Sequence, residues 1–122
     1  MAVFLSSEWF DELAETLLAI TVGEPSQTGL ALGQVILNTQ NGTVNYTICL
    51  GGGRPGSLVR DSVDAAQVTL VEDYESALAI LAGESIADLL SSGKIKVRGD
   101  ANALLGAADE LAALASALAS TP

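Results

Sequence analysis

Hydrophobic and polar positions change period several times along the chain of 122 residues. Residues 6–21 carry apolar side chains at the three- and four-residue spacing of an amphipathic helix, while acidic side chains occupy the other side. The apolar positions are Phe10, Leu13, Leu17 and Ile20. Ser6 precedes them and is in place to cap the helix. The pattern therefore predicts a first helix that buries one face.

Two segments of alternating polarity, 31–40 and 43–50, flank the dipeptide Asn41-Gly42. That pair is typical of a two-residue hairpin turn. With this turn Gln40 opposes Thr43, and the rest of the register follows. One face of the predicted hairpin is then apolar, through Val35, Leu37, Tyr46 and Ile48. The hairpin predicts an antiparallel sheet with one covered face.

The rest of the pattern predicts three more strands and three more helices. The strands lie near residues 57–61, 66–72 and 94–98. The helices lie near residues 74–82 and 85–90, and from a cap at Asp100 to about Ala119. The predicted order is α-β-β-β-β-α-α-β-α. We expect residues 1–122 to form one α+β domain, with a five-stranded, mostly antiparallel sheet and helices over one face.

The last predicted helix is unusually apolar. Leu104, Leu111 and Leu118 repeat every seven residues with alanines between them. Small alanine side chains cover a sheet poorly, and Gly106 costs about 1 kcal/mol relative to alanine in a helix interior. A helix this apolar covers a core, an apolar ligand or another subunit. The sequence leaves these three alternatives open.

Composition narrows the possible functions. The net charge is −10, and all five basic residues lie between Arg54 and Arg98, so we expect no nucleic-acid partner and no attraction to anionic membranes. No apolar run is long enough to cross a bilayer, and we expect neither stable membrane insertion nor a secretory signal. Histidine is absent, which argues against catalysis and transition-metal binding. Cys49 is the single cysteine, which is consistent with a cytoplasmic location.

Three local patterns allow a functional interpretation beside an ordinary one. The segment 51–56 matches G-x-G-x-x-G, but it leads toward a strand and not a helix, which argues against a dinucleotide site. The strand 94–98 places Lys94, Lys96 and Arg98 on one face, which is either solvated or an anion contact. Five carboxylates within residues 61–75 are typical of solvated turns, and an acid–base pair among them is the catalytic alternative.

Four segments together resemble the sterol carrier protein 2 family. They are the Ser-Ser-Glu-Trp-Phe opening at residues 6–10, the hairpin, Val-Thr-Leu at 68–70, and residues 90–100. Within the last of these, Gly-Lys-Ile-Lys-Val-Arg-Gly-Asp at residues 93–100 is the most specific part. The resemblance covers nearly the whole chain. It implies a five-stranded sheet with helices over one face and an apolar tunnel between them.

The resemblance also implies a function. Members of the family bind sterols, fatty acids, acyl-CoA esters or phospholipids, and as isolated domains they are not enzymes. This sequence ends Ser120-Thr121-Pro122 without a peroxisomal address, and its first helix is acidic. Both features argue against lipid transfer by collision with membranes and favour a bacterial-type, single-domain carrier.

We thus expect non-catalytic binding of a lipid or similar apolar molecule, without cofactor or metal, in a tunnel between the sheet and the C-terminal helix. The candidate ligand-binding residues are Phe10, Val35, Leu37, Tyr46, Ile48, Val68, Leu70, Leu104 and Leu111. An interaction module is the alternative, in which the last helix packs against a second copy or another chain and no ligand binds. An enzyme that uses the carboxylates of residues 61–75 is the third hypothesis.

Overall fold

A computed structural model describes residues 4–26 and 29–120, so the terminal residues Thr121 and Pro122 lie outside it. The helices are α1 (Ser7–Leu18), α2 (Tyr74–Leu81), α3 (Ile86–Ser91), α4 (Asn102–Leu105) and α5 (Ala108–Ser120). The strands are β1 (Leu30–Thr39), β2 (Gly42–Gly51), β3 (Arg54–Arg60), β4 (Val68–Asp73) and β5 (Ile95–Gly99). The predicted α+β class and element order are confirmed, except that the last predicted helix is divided in two.

The five strands form one mixed sheet in the order β3-β2-β1-β4-β5. Three neighbouring pairs are antiparallel, and β1 with β4 is parallel. The sheet is therefore mostly antiparallel, as predicted. The parallel pair joins the first three strands to the last two, so the chain must cross over the sheet between β3 and β4.

The predicted register of the hairpin is wrong by three residues. The strands are joined through Gln40 and Asn41, with Thr39 opposite Gly42, which shifts the pairing by two. An irregularity between Ile36 and Thr39 adds one more residue to β1, where Asn38 takes a left-handed φ of 61°. Asparagine tolerates that conformation better than most residues. Side chains of a strand alternate between its two faces, so a shift by an odd number of residues turns the opposite face of β1 to the helices.

This correction exchanges the two faces of β1. Val35 and Leu37 lie on the face away from the helices, where Val35 is half-buried and Leu37 is 37 % exposed. Leu32, Gln34 and Ile36 point into the core in their place. The prediction that Val35 and Leu37 belong to the covered face is therefore wrong. The physical cause is the extra residue in β1, which the alternation of polarity does not reveal.

The helices cover one face of the sheet and fix the core. Helix α1 begins at the predicted cap, where the Ser6 hydroxyl accepts a hydrogen bond from the Trp9 N–H. The ring of Phe10 stacks edge-to-face on Tyr46, with 5.3 Å between ring centroids. The Arg60 guanidinium lies over the Phe10 ring, 5.4 Å from its centroid, and pairs with Asp11. These contacts hold α1 over β2 and β3.

The last predicted helix is interrupted at Gly106, where α4 ends and α5 has not yet begun. The Asp100 carboxylate accepts from the Asn102 N–H, so it supports the turn before α4, although Ala101 occupies the cap position. The apolar stripe of α5 enters the core through Leu114 and Leu118. The two short helices replace one long one because glycine is unfavourable in a helix interior.

Alanine substitutions at two glycines should have opposite effects on the free energy of unfolding. A Cβ at Gly56 would lie 2.7 Å from the Leu17 carbonyl oxygen and 2.8 Å from Leu50 Cδ2, so Gly56→Ala should cost about 1–3 kcal/mol. At Gly106 φ is −96° and no described atom lies within 4 Å of a Cβ, so Gly106→Ala should gain about 0.4–1 kcal/mol. Urea unfolding of both variants measures the difference. Equal stability of Gly56→Ala and the wild type would contradict the close approach of α1 to β3.

Candidate ligand-binding site

A cleft of about 380 Å³ lies between α2 and α3 on one side and α4 and α5 on the other. Its volume falls within the range of about 300–1,000 Å³ that is usual for small-molecule sites, and it is partly open to solvent. Its apolar walls are formed by Ile80, Ile86, Leu90, Leu104, Leu111 and Ala115. Glu84 and Ser85 add polar, exposed side chains. We call this space the helical cleft.

Local sequence explains why the cleft exists. Gly83 takes a φ of 100° after α2, and the Ser85 hydroxyl then caps α3 by accepting from the Asp88 N–H. The chain therefore turns sharply between two short helices. On the opposite wall Ala112 and Ala115 contribute methyl groups where larger apolar side chains would fill the space. The alanine-rich composition of α5 thus leaves volume beside its leucines.

A second cavity, of about 10 Å³, lies between the helices and the sheet. The sheet contributes Gln34, Tyr46 and Glu72 to its walls, and apolar side chains of the helices, together with Phe4 before α1, complete them. Ile80 and Ile86 line this cavity and the helical cleft alike, so the two spaces adjoin across these side chains. We call the smaller space the polar chamber. Its volume corresponds to about one water molecule.

The three polar residues of the chamber come from three neighbouring strands. Gln34 lies directly opposite Tyr46 in the β1–β2 pair and opposite Leu70 in the β1–β4 pair. Glu72 follows Leu70 by two residues and therefore shares its face of β4. Gln34 is 2 % exposed and Glu72 is 3 % exposed. Within the described residues, Gln34 Oε1 and Glu72 Oε2 have no hydrogen-bond partner.

Burial determines the protonation of the chamber. Desolvation, with a smaller contribution from the negative charge of Asp73, raises the pKa of Glu72 to about 8. Desolvation and the charge of Glu72 raise the pKa of the Tyr46 hydroxyl above its usual range. Both side chains are therefore mainly uncharged at neutral pH. A neutral carboxyl group both donates and accepts hydrogen bonds, whereas a carboxylate only accepts.

Comparison with solved structures finds close similarity in fold at low sequence identity. A crystal structure of sterol carrier protein 2 matches with a TM-score of 0.73 and 15% identity, over 98% of this chain and 100% of the other. A conserved hypothetical protein of Thermus thermophilus, described as possibly a sterol carrier protein, matches with a TM-score of 0.67 and 16% identity, over 99% and 90%. Palmitated SCP2L2 from Aedes aegypti matches with a TM-score of 0.57 and 22% identity, over 93% and 95%.

This chain has the sterol carrier protein 2 fold. The resemblance inferred from the sequence is thereby confirmed at the level of the fold. No protein-family model and no curated protein matches the chain. The structural matches to sterol carrier protein 2 and to the Thermus protein cover nearly all of this chain, including the elements that form the helical cleft and the polar chamber.

The sequence-predicted ligand residues separate into three groups in this fold. Leu104 and Leu111 line the helical cleft, and Tyr46 lines the polar chamber. A ligand role for these three stays a prediction. Four others lie in the packed core, namely Phe10, Ile48, Val68 and Leu70. Val35 and Leu37, as described above, lie on the other face of the sheet.

Sequence reasoning identifies Tyr46 but misses Gln34 and Glu72 of the chamber and the α2–α3 wall of the cleft. The sequence pattern favours solvated positions for the carboxylates of residues 61–75, and for Glu72 this prediction is wrong, because Glu72 is buried in β4. The signal was present in the two-residue period, which places Glu72 in phase with Val68 and Leu70. The sequence does not predict the burial of Gln34, because the same register error places it on the face of β1 away from the helices. Ile80 and Ile86 belong to predicted helices, but their sequence spacing alone does not pair them.

The other sequence patterns lie away from both cavities. The glycine-rich segment leads directly into β3 at Arg54, as expected from the sequence, and a Cβ at Gly51 would lie 2.8 Å from Glu110 Oε1. Lys96 and Arg98 are exposed on the face of β5 opposite Ile95. Within residues 4–26 and 29–120, no cluster of His, Cys, Asp and Glu could hold a metal ion. No helix of this described part is long and apolar enough to span a membrane.

Proposed function

We propose that the chain binds an apolar small molecule, such as a lipid, in the helical cleft and carries it without chemical change. The single observation that supports this most is the cleft itself, an aliphatic-walled space beside the alanine-rich face of α5. Burial of a hydrocarbon ligand there would contribute roughly 25 cal/mol for each Å² of apolar area. The proposed site lies between helices, and the tunnel expected between the sheet and the last helix stays a prediction.

The wider assignment rests on the fold and the composition together. The matched structures include one called sterol carrier protein 2 and one described as palmitated. We propose by analogy that residues 1–122 act as one lipid-binding domain, that they do so in the cytoplasm and that they are not an enzyme. The lack of histidine and the aliphatic lining of the cleft support a non-catalytic role.

Filling the cleft provides the test. Ala115→Phe should weaken the binding of 1-octanol at least about tenfold, because a benzyl group would occupy space that the alcohol needs, at a cost above about 1.4 kcal/mol. Titration calorimetry on delipidated protein measures the affinity. Ala101→Phe adds the same group at an exposed residue outside the cleft lining and should bind like the wild type.

A second outcome would favour the interaction module. Leu111 is half-buried, and Ala112 and Ala115 are exposed, so the same surface of α5 is available to another chain. If the wild type binds no 1-octanol and sediments as a dimer that Leu111→Asp splits, the ligand proposal fails. Unchanged octanol affinity in Ala115→Phe would also contradict it, since the ligand would then bind elsewhere.

A further inference from the structure

The polar chamber adjoins the helical cleft but differs from it in chemistry. The cleft has aliphatic walls, whereas the chamber carries Gln34, Tyr46 and Glu72. The boundary between them is formed by Ile80 and Ile86, which contact both spaces. An amphipathic ligand that lies in the cleft therefore meets its first buried polar groups at this boundary. A ligand that occupies both spaces would have to displace these two isoleucine side chains.

We propose that the polar chamber binds the hydroxyl group of an apolar alcohol whose hydrocarbon part occupies the helical cleft. This inference rests on the proposed function, because it names the head group of the same ligand. The chamber offers about 10 Å³, which fits one oxygen atom of the size of water. A carboxylate or phosphate group, with two or more oxygens, requires more space than this.

The hydrogen-bonding groups of the polar chamber also favour a hydroxyl group. Gln34 Oε1 is an acceptor that lacks a donor among the described residues, and the neutral Glu72 carboxyl can donate as well as accept. A hydroxyl group can donate to Gln34 and accept from Glu72 at the same time. A carboxylate head group would place acceptor against acceptor at Gln34. An ammonium group cannot accept the Glu72 proton, and ionising Glu72 to pair with it would bury two charges in the core.

The negative charge around the polar chamber disfavours an anionic head group. Asp73 adjoins Glu72 in sequence, and its charge already contributes to keeping the Glu72 proton bound. The chain as a whole carries a net charge of −10. Both features oppose an anionic head group near the chamber, whereas an uncharged hydroxyl meets neither cost. Of the head groups compared, the alcohol leaves the fewest buried polar atoms unpartnered.

Three probes with eight-carbon chains test the proposal at pH 7. They are 1-octanol, which donates and accepts, 1-methoxyoctane, which only accepts, and octanoate, which is anionic. We expect 1-octanol to bind at least about tenfold more tightly than either, because each of the other two probes leaves a buried polar group of the chamber without a partner. Calorimetry gives the three affinities in one buffer. Repeating the octanoate titration at about 0.5 M salt separates long-range repulsion from the contact in the chamber.

Variants of the chamber then locate the selectivity. Glu72→Leu should bring the ratio of octanol to methoxyoctane affinity close to one, and Glu72→Gln should restore most of the preference, because an amide also donates and accepts. Glu75→Leu makes the same change at an exposed position of α2 and should keep the wild-type ratio. If Glu72→Leu does not fold, Gln34→Leu removes the other polar partner and should reduce the same ratio.

The possible results separate this inference from the proposed function. If no probe binds, the proposed ligand-binding function fails and the head-group assignment fails with it. If all three probes bind with equal affinity and Ala115→Phe weakens the binding of each, the cleft is the site but the chamber does not distinguish the head groups. Octanoate binding as tightly as 1-octanol would also overturn the assignment. So would an unchanged ratio of octanol to methoxyoctane affinity in Glu72→Leu and Gln34→Leu.

Discussion

The stability of the wild-type protein relative to Glu72→Gln is expected to fall by on the order of 4 kcal/mol between pH 4.5 and pH 8. The Glu72 pKa is about 8 in the folded protein and near the ordinary value of 4.5 in the unfolded chain. The folded state therefore binds a proton that the unfolded state releases. Folding stabilities of small domains are about 5–15 kcal/mol, so this change is a large share of the total.

The sign follows from the direction of the shift. Glu72 contributes its full stability below the unfolded pKa, where both states are protonated. That contribution decreases as the pH rises toward 8, because the folded protein must hold the proton or bury a charge. Well above the folded pKa both states are ionised, and the difference becomes constant. The neighbours of Glu72 do not reverse this order, since the charge of Asp73 itself raises the Glu72 pKa, the pKa of Tyr46 lies above its usual range, and the paired Ile36 and Ile95 are apolar.

Urea unfolding of both proteins at several pH values from below the unfolded pKa to above the folded pKa of Glu72 measures the effect. Taking the difference between the two proteins cancels the titration of the other groups. Glu75→Gln, which changes an exposed carboxyl of α2, controls for the loss of one charge. Parallel curves for the wild type and Glu72→Gln would contradict the burial of an unpaired carboxyl group in the core.

Adjacent substitutions in β1 are expected to differ sharply in cost. Ile36 has no exposed surface and lies among the core residues, so Ile36→Ala should reduce the free energy of unfolding by about 2–5 kcal/mol. Leu37 is 37 % exposed on the opposite face, so Leu37→Ala should cost about 1 kcal/mol or less. Both variants remove methylene and methyl groups from the same strand, which makes them matched controls for each other.

Chemical denaturation with a common m-value gives the comparison directly. The hairpin register predicted from the sequence requires the reverse order, with Leu37 in the core and Ile36 outside it. A larger loss of stability in Leu37→Ala than in Ile36→Ala would therefore restore that register. It would also remove Gln34 from the core, and with it one wall of the polar chamber.

Strong local periodicity was sufficient to predict most of the fold. The helical spacing before residue 21, the glycines after α2 and α3, and the alternation around Ile95 all matched the elements found. The register of β1 was not predictable in this way, because a single extra residue near Asn38 reverses a strand without changing its composition. The resemblance identified the fold through residues 93–100, although those residues line neither cavity.

The site was less predictable, because it depends on how short helices pack together. The sequence leaves open whether the alanines of the last helix make room for a ligand, and in the fold Leu104 and Leu111 line the helical cleft. It did not indicate that α2 and α3 form the other wall, since that requires their orientation in three dimensions. The burial of Glu72 was predictable from its phase in β4. Acidic residues are rarely buried, however, so the residue type favoured a solvent-exposed position.

Native mass spectrometry of the freshly purified protein tests the central claim most directly. The account predicts an adduct of lipid-like mass that is present on the wild type and on Ala101→Phe, and reduced or lost in Ala115→Phe. An alcohol identified in that adduct would also agree with the polar chamber. A monomer or dimer of unmodified mass, together with no uptake of 1-octanol, would contradict ligand binding in the helical cleft.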